Sequence, residues 1–199
     1  MGRMLLVRHG QSEWNASGRW QGQADPPLTD FGRRQARHAA QALGAMDVVV
    51  ASTLGRAMET AAILADQLGI GPVLTDDDLR ERNAGEFAGL TRDEIEERYP
   101  GFLEAGKRPK GWEPDDLLVQ RGLAALDRVD DLVGDGDGLV VTHGGLIMSL
   151  EQHLGGERSR LANLGGRWFA RTADGLALGE RLDLLSGAEL TVPDVPGQI

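Results

Sequence analysis

Three short apolar runs, each ending in polar residues of a related kind, constrain most strongly what this chain can fold into. They are residues 4–7 (MLLV), 46–51 (MDVVVA, interrupted by Asp47) and 138–141 (GLVV). Runs this short and nearly continuous suit strands covered on both faces, as in a parallel sheet between helices. The stretches between them read as helices. In LTDFGRRQARHAAQALG, Ala36, Ala39, Ala40 and Leu43 fall at i, i+3, i+4 and i+7, with Thr29 or Asp30 as N-cap and Gly44 as stop. In STLGRAMETAAILADQLG, Leu54, Met58, Ala61, Ala65 and Leu68 repeat that spacing, opened by Ser52 or Thr53 and closed by Gly69. TRDEIEERYPG is a short helix with Thr91 and Glu94 as a capping box, halted before Pro100. Asp115 or Asp116 opens a longer helix striped by Leu118, Ala125, Val129 and Leu132, and Leu146 or Ile147, Leu150 and Leu154 mark a last one.

Strands alternating with helices predict an α/β fold, a three-layer sandwich with a mainly parallel central sheet flanked by helices. The end differs: RWFARTADGLALGERL sets Asp174-Gly175 between two strand-like pieces, which predicts a β-hairpin closing the C-terminal edge of the sheet. Residues 1–190 are expected to form a single domain and residues 191–199, with two prolines and no period, a tail. The hairpin edge either pairs with a second copy of the chain in a homodimer or is solvated.

With no cysteine, the chain has no disulfide framework, and its N-terminus carries no extended apolar segment with a small-residue cleavage site, so a cytoplasmic protein is expected. No apolar run approaches the roughly 20 residues of a membrane-spanning helix. The formal net charge of −10 repels nucleic acid and acidic membranes as a whole. Any anionic ligand must therefore be captured by a local cluster of positive groups.

The ends of the three runs supply one. Arg8-His9-Gly10 follows the first, Ser52-Thr53 with Arg56 the second, and Thr142-His143-Gly144-Gly145 the third. In an open α/β sheet, ligands bind outside the carboxyl ends of the strands, where helix N-termini also favour anions. Two arginines and two histidines converging there outline a phosphate cradle. Taken singly, each is as well read as a structural histidine or a surface charge. Arg56 is more telling, because a cation in the first turn of a helix needs a compensating anion. No metal-binding pair such as HExxH is present and the neighbours are guanidinium groups, so neither a metal nor another cofactor is expected. His38 and His153 sit on the polar sides of their helices and read as solvated.

Four motifs in order, LLVRHGQSEWN, ASTLGRAMETA, LRERNAGEFAGLT and VVTHGG, resemble those of the histidine phosphatase superfamily, which includes the cofactor-dependent phosphoglycerate mutases. The resemblance runs from about Leu5 to Leu154. It implies a phosphohistidine mechanism on a small phosphorylated metabolite: His9 as nucleophile, with Arg8, Arg56 and His143 holding the phosphoryl oxygens. Asn15, Gln21 and the Gly22 backbone match positions lining the phosphate or substrate pocket, and Gly144, like Gly10, allows close backbone approach. Glu81 matches the proton donor, which must start protonated to serve an alkoxide leaving group. Read without the motif, Glu81 is a salt-bridge partner of Arg80 or Arg82.

Dedicated mutases carry a longer insertion with paired arginines and a proline run, and read HGNS where this chain reads HGGL, so hydrolysis is expected. A mutase and a non-catalytic phospholigand-binding regulator are the alternatives. The segment YPGFLEAGKRPKGWEPDD is expected to cover the pocket, where Lys107, Arg108, Lys110 and Trp112 either meet the leaving group or form a solvated basic loop. Many phosphatases of the family carry Gly-Glu-Ser before the long helix, where this chain has Glu113-Pro114-Asp115-Asp116. Arg19 and Trp20 either line the rim or pack ordinarily.

Overall fold

A computed structural model describes residues 2–157 and 159–187; the expected tail at 191–199 lies outside the described residues. Six strands form one sheet: β1 (Arg3–Arg8), β2 (Val48–Ser52), β3 (Val73–Asp76), β4 (Asp137–Thr142), β5 (Gly165–Thr172) and β6 (Gly175–Asp183), in the order β3-β2-β4-β1-β5-β6. The pairs β2 with β3, β2 with β4 and β1 with β4 are parallel, whereas β5 runs antiparallel to β1 and β6 to β5. The expected α/β sandwich with a C-terminal hairpin is therefore what the chain forms. The turn is one residue earlier than the Asp174-Gly175 signal suggests, since Thr172 already pairs with Gly175.

The β1 run shows why the strand is apolar throughout. Alternate side chains point to opposite faces of a sheet. Leu5 and Val7 join one cluster with Ala39, Ala57, Ala61 and Leu64, under the helices α2 (Asp30–Ala39) and α3 (Gly55–Leu68). Met4 and Leu6 join another with Leu118, Leu126, Val129, Leu146 and Leu150, under α5 (Asp115–Val133) and α6 (Gly144–His153). Two short helices, α1 (Glu13–Ala16) and α4 (Arg92–Arg98), complete the set. No described helix is long and apolar enough to cross a membrane.

Several local expectations hold and several need correction. Thr29 caps α2, Gly69 closes α3 with φ 67°, and Thr91 and Glu94 form the capping box of α4. The N-cap of α3 is Leu54, not Ser52 or Thr53, and that of α5 is Pro114. The stripes of α3 and α5 hold at all but one position each: Met58 is 41 % and Leu132 55 % exposed, and on α3 Arg56 and Thr60 are buried beside the apolar members. Polar residues here occupy core positions, which a hydrophobic period cannot register. β3 escapes the sequence reading because it is an edge strand of mixed exposure, VLTD. The helix α2 gives way to a 3-10 turn at Ala40–Ala42 before reaching Gly44.

α2 lies unusually close to the end of β1. A Cβ on Gly10 would stand 2.6 Å from the Gly32 carbonyl oxygen, and a Cβ on Gly32 would overlap the Gln11 carbonyl oxygen. The backbone after β1 therefore runs where only glycines permit. Gly32→Ala should destabilise the fold by about 1–3 kcal/mol through overpacking, read as a lower urea midpoint with an unchanged m-value; a midpoint equal to wild type would contradict the close approach.

Candidate active site

The strand order places the site. The β1 connection leads toward β2 on one side, and that of β4 crosses to β5 on the other, so the carboxyl ends of adjacent β1 and β4 flank a topological switch point. Arg8 is in register with Thr142, and the His9 N–H donates to Thr142 O at 3.0 Å. His9 and His143 follow directly, with ring centroids 5.2 Å apart.

His9 is buried, and its Nδ1 lies 2.6 Å from Gly10 O. A carbonyl only accepts, so Nδ1 carries the proton and Nε2 the lone pair. Arg56 Nε donates to that Nε2 at 3.2 Å. Burial first, then the Arg56 and Arg8 charges, holds the His9 pKa well below 6.5. The ring is thus neutral, as a nucleophile must be. His143 is likewise pushed well below 6.5 by burial and by Arg56. Its Nε2 meets Ser52 Oγ at 2.8 Å, while its buried Nδ1 has no hydrogen-bond partner among the described residues.

Arg56 is 1 % exposed. Its Nη1 donates to Ala24 O at 2.7 Å and its Nη2 to Gly22 O at 2.9 Å, with Asp25 at 3.5 Å. The compensation that Arg56 needs thus comes largely from loop carbonyls. Burial pushes its pKa down to about 10, so it remains a cation at neutral pH. Arg8 donates from Nη1 to Leu161 O at 2.6 Å. The pair of guanidinium groups and the pair of imidazoles therefore do converge.

The helix N-termini contribute differently from expectation. Asp25 accepts from the Gly55 N–H at 2.7 Å and caps α3 from another loop. Ser12 and Asn15 close α1 with a capping box, and the Gly145 N–H of α6 donates to Glu81 Oε2 at 2.9 Å. With those amides engaged, positive charge at the site resides mainly in side chains.

Glu81 is 9 % exposed, and its Oε1 accepts from the Arg82 N–H at 2.8 Å. The Arg80 guanidinium instead binds Thr53 and Asp77, and that of Arg82 binds Asp115 and Ser149, so neither guanidinium occupies the Glu81 carboxylate. A Cβ at Gly145 would overlap Glu81 Oε1, which explains the second glycine of HGG. Gly144 lies under Arg8, where a Cβ would stand 3.3 Å from its Cδ.

Asn15 Oδ1 accepts from Ser12 N and from Asn163 Nδ2 at 3.2 Å, and Gln21 Oε1 accepts from Ser12 Oγ at 2.8 Å. Gly22 presents its carbonyl to Arg56. Arg108 and Trp112 stand further out, lining a cavity of ≈ 60 Å³ with Arg82, Gly145 and Ser149. The Arg108 guanidinium lies 4.6 Å from the Trp112 ring centroid, and Lys107 and Lys110 are exposed. The segment expected to cover the pocket packs as a separate aromatic cluster: Tyr99, Phe102 and Trp112 against Trp20, Phe87 and Ile95. Trp20 packs with its ring 5.5 Å from that of Phe87 and also lines a small cavity with Gln21, Gly22, Glu81 and Trp112, and Arg19 pairs with Glu94. His153 is exposed and His38 half-buried.

Three contributors went unseen in the sequence: Asp25, Asn163, whose Nδ2 donates to His9 O at 2.8 Å, and Arg121, which holds the backbone around Glu81. None belongs to a local pattern, because each acts on residues distant along the chain.

The two buried neutral histidines make stability depend on pH. Their folded pKa values lie below 6.5, so the unfolded chain takes up more protons in acid. Their contribution is complete above about pH 6.5 and is lost as pH falls, by up to about 1.4 kcal/mol per pH unit for each. His143→Gln should flatten the unfolding free energy between about pH 6.5 and 5 by roughly that slope, measured by urea titration; parallel curves would refute it.

The chain's likeness to known proteins agrees with this geometry. Residues 4–165 match the histidine phosphatase superfamily (branch 1). The chain is 37 % identical over 162 residues to glucosyl-3-phosphoglycerate phosphatase of Mycolicibacterium vanbaalenii, covering 74 % of this chain and 72 % of that one. It is 40 % identical over 157 residues to phosphoglycerate mutase-like protein 4 of Arabidopsis thaliana, covering 74 % and 68 %. A mycobacterial glucosyl-3-phosphoglycerate phosphatase structure complexed with VO3 superposes with a TM-score of 0.80 at 29 % identity, over 89 % of this chain and 96 % of that one. With the buried histidine and arginine pairs in place at the switch point, the chain belongs to the histidine phosphatase superfamily and is a phosphatase of that type.

Proposed function

We propose that the protein is a metal-independent phosphomonoesterase that works through a phosphohistidine at His9. The observation that carries this reading is the state of His9: neutral, with its proton fixed on Nδ1 by Gly10 O and its Nε2 lone pair turned toward Arg56. A phosphoryl group drawn to Arg56 arrives at the atom that can attack it.

In the first step the Arg56 Nε–H shifts from His9 Nε2 to a phosphoryl oxygen, the freed Nε2 lone pair forms the N–P bond as the P–O bond to the leaving group breaks, and Glu81 gives that oxygen its proton. In the second step water attacks phosphorus, Glu81 takes back a proton, and the N–P bond breaks to regenerate His9. Arg8, Arg56 and His143 Nδ1, the buried atom without a partner, supply positive charge and a hydrogen bond to the phosphoryl oxygens. Gly10 O stabilises the cationic ring of the intermediate. Guanidinium groups thus occupy the positions that a metal ion would otherwise serve.

The substrate is proposed to be a small phosphorylated metabolite of the phosphoglycerate type, with the Arg108 and Trp112 cavity beside Glu81 receiving its organic part. The relatives that act on glucosyl-3-phosphoglycerate support this choice. The mutase-like relative keeps phosphoryl transfer to a second acceptor as the competing reading.

Phosphate release from 3-phosphoglycerate and glucosyl-3-phosphoglycerate should persist in excess chelator and vanish in His9→Ala. Glu81→Gln should lose about 10²–10⁴-fold on such alkyl esters. Alkaline quenching of wild type with labelled substrate should trap an acid-labile phosphoprotein absent from His9→Ala. Isomerisation of the ester without phosphate release would favour the mutase, and loss of activity on chelation would overturn metal independence.

A further inference from the structure

We infer that Arg121 is the positioning residue for the proton donor, working with Glu113 as a clamp on the loop that carries Glu81. The inference rests on the reading of Glu81 as general acid.

Arg121 projects from α5, and its side chain is 17 % exposed. Nε donates to Glu113 Oε1 at 2.6 Å and Nη2 to Glu113 Oε2 at 2.9 Å, a two-pronged ion pair. Nη1 donates to the carbonyls of Asp78 and Arg80, both at 2.6 Å, and Nη2 to the carbonyl of Glu81 at 3.0 Å. A guanidinium has five N–H donors, and these contacts engage all of them. Arg121 therefore has no hydrogen left for a substrate and acts through the residues it holds.

Those residues are the backbone on both sides of the acid. The carbonyls of Arg80 and Glu81 bracket the Glu81 Cα, so fixing them fixes the direction in which its side chain leaves the chain. Glu113 extends the hold by two residues: its Oε2 accepts from the Asn83 N–H at 2.9 Å, its N–H donates to Asn83 O at 3.0 Å, and its carbonyl accepts from Arg82 Nη1 at 2.7 Å. Gln23 adds a further donor to Glu81 O at 3.1 Å. Among the described residues, the carboxyl accepts hydrogen bonds from the Arg82 and Gly145 amides. It lies on an irregular segment between 3-10 turns, with no strand or helix to set its place.

Lysine cannot reproduce this, because a tetrahedral ammonium has three donors and no planar fork.

The test reads leaving-group dependence, which loss of packing alone would not alter. A general acid matters more as the leaving oxygen becomes more basic. Phosphate release would be measured for substituted phenyl phosphates from p-nitrophenyl to p-methoxyphenyl, in wild type, Glu81→Gln, Arg121→Met, Arg121→Lys and Glu113→Gln, with thermal melts of each. Glu81→Gln should steepen the dependence of kcat/KM on leaving-group basicity. Arg121→Met should steepen it in the same sense, with p-methoxyphenyl phosphate falling on the order of 10²-fold and p-nitrophenyl phosphate much less. Arg121→Lys and Glu113→Gln should fall between these and wild type. If Arg121→Met fails to fold, folded Arg121→Lys decides the matter by the same slope.

A uniform loss across the series, or none, in Arg121 variants while Glu81→Gln steepens the slope would overturn the clamp and leave Glu81 as the acid. An unchanged slope in Glu81→Gln would overturn the assignment of the acid, and the clamp's catalytic role with it.

Discussion

Burying two guanidinium groups beside two imidazoles is the constraint on which the rest of this structure depends. A buried cation without partners is costly, so each arginine must find acceptors before it can serve a ligand. Arg56 finds them in the carbonyls of Gly22 and Ala24, and Arg8 in the carbonyl of Leu161. Those bonds draw two distant loops against the sheet edge. Carbonyls hold the charges while neutralising them less than carboxylates would, which leaves the cluster positive overall. Burial first, and then the same field, keeps His9 and His143 unprotonated.

Close backbone approach is the second requirement, and glycine meets it at three levels of the site. Gly10 and Gly32 let α2 press against the end of β1, Gly144 makes room for Arg8, and Gly145 makes room for the Glu81 carboxyl. At Gly10 and Gly32 an added Cβ would collide with backbone, and at Gly144 and Gly145 it would have to push aside the Arg8 or Glu81 side chain. The glycines of RHG and HGG are thus steric conditions for the arrangement of the charged groups, beyond any role as turn residues. Around them, the caps of α1 and α3 and the Glu81 bond to Gly145 engage helix amides that might otherwise bind anions directly. Selectivity for phosphate accordingly falls to side chains of defined reach.

The covering segment shows how far a local reading goes. Its aromatic residues form a small core of their own with Trp20, Phe87 and Ile95, and this explains the order of a segment short of regular structure. Composition suggested a basic loop over a pocket. In the structure Lys107, Arg108 and Lys110 are all exposed, yet they differ in what they touch: Arg108 stacks on Trp112 and lines the cavity next to Gly145, while Lys107 lies over Phe102. A run of like charges contains no information about which ring each of them meets.

The sequence by itself determined the alternation of strands and helices, the two-faced burial of β1, β2 and β4, the C-terminal hairpin, and the identities of the five residues that meet at the switch point. These are legible because periodicity, turn chemistry and motif order are local along the chain. Tertiary structure alone decided the rest. The buried polar face of α3, the edge strand β3, the capping of α3 by Asp25 and the hold of Arg121 on the Glu81 loop all join residues far apart in sequence. Their physical cause is one of satisfaction at a distance: a buried charge or an open helix end takes whichever partner the fold brings within hydrogen-bond reach. No spacing rule along a single chain specifies which partner that will be.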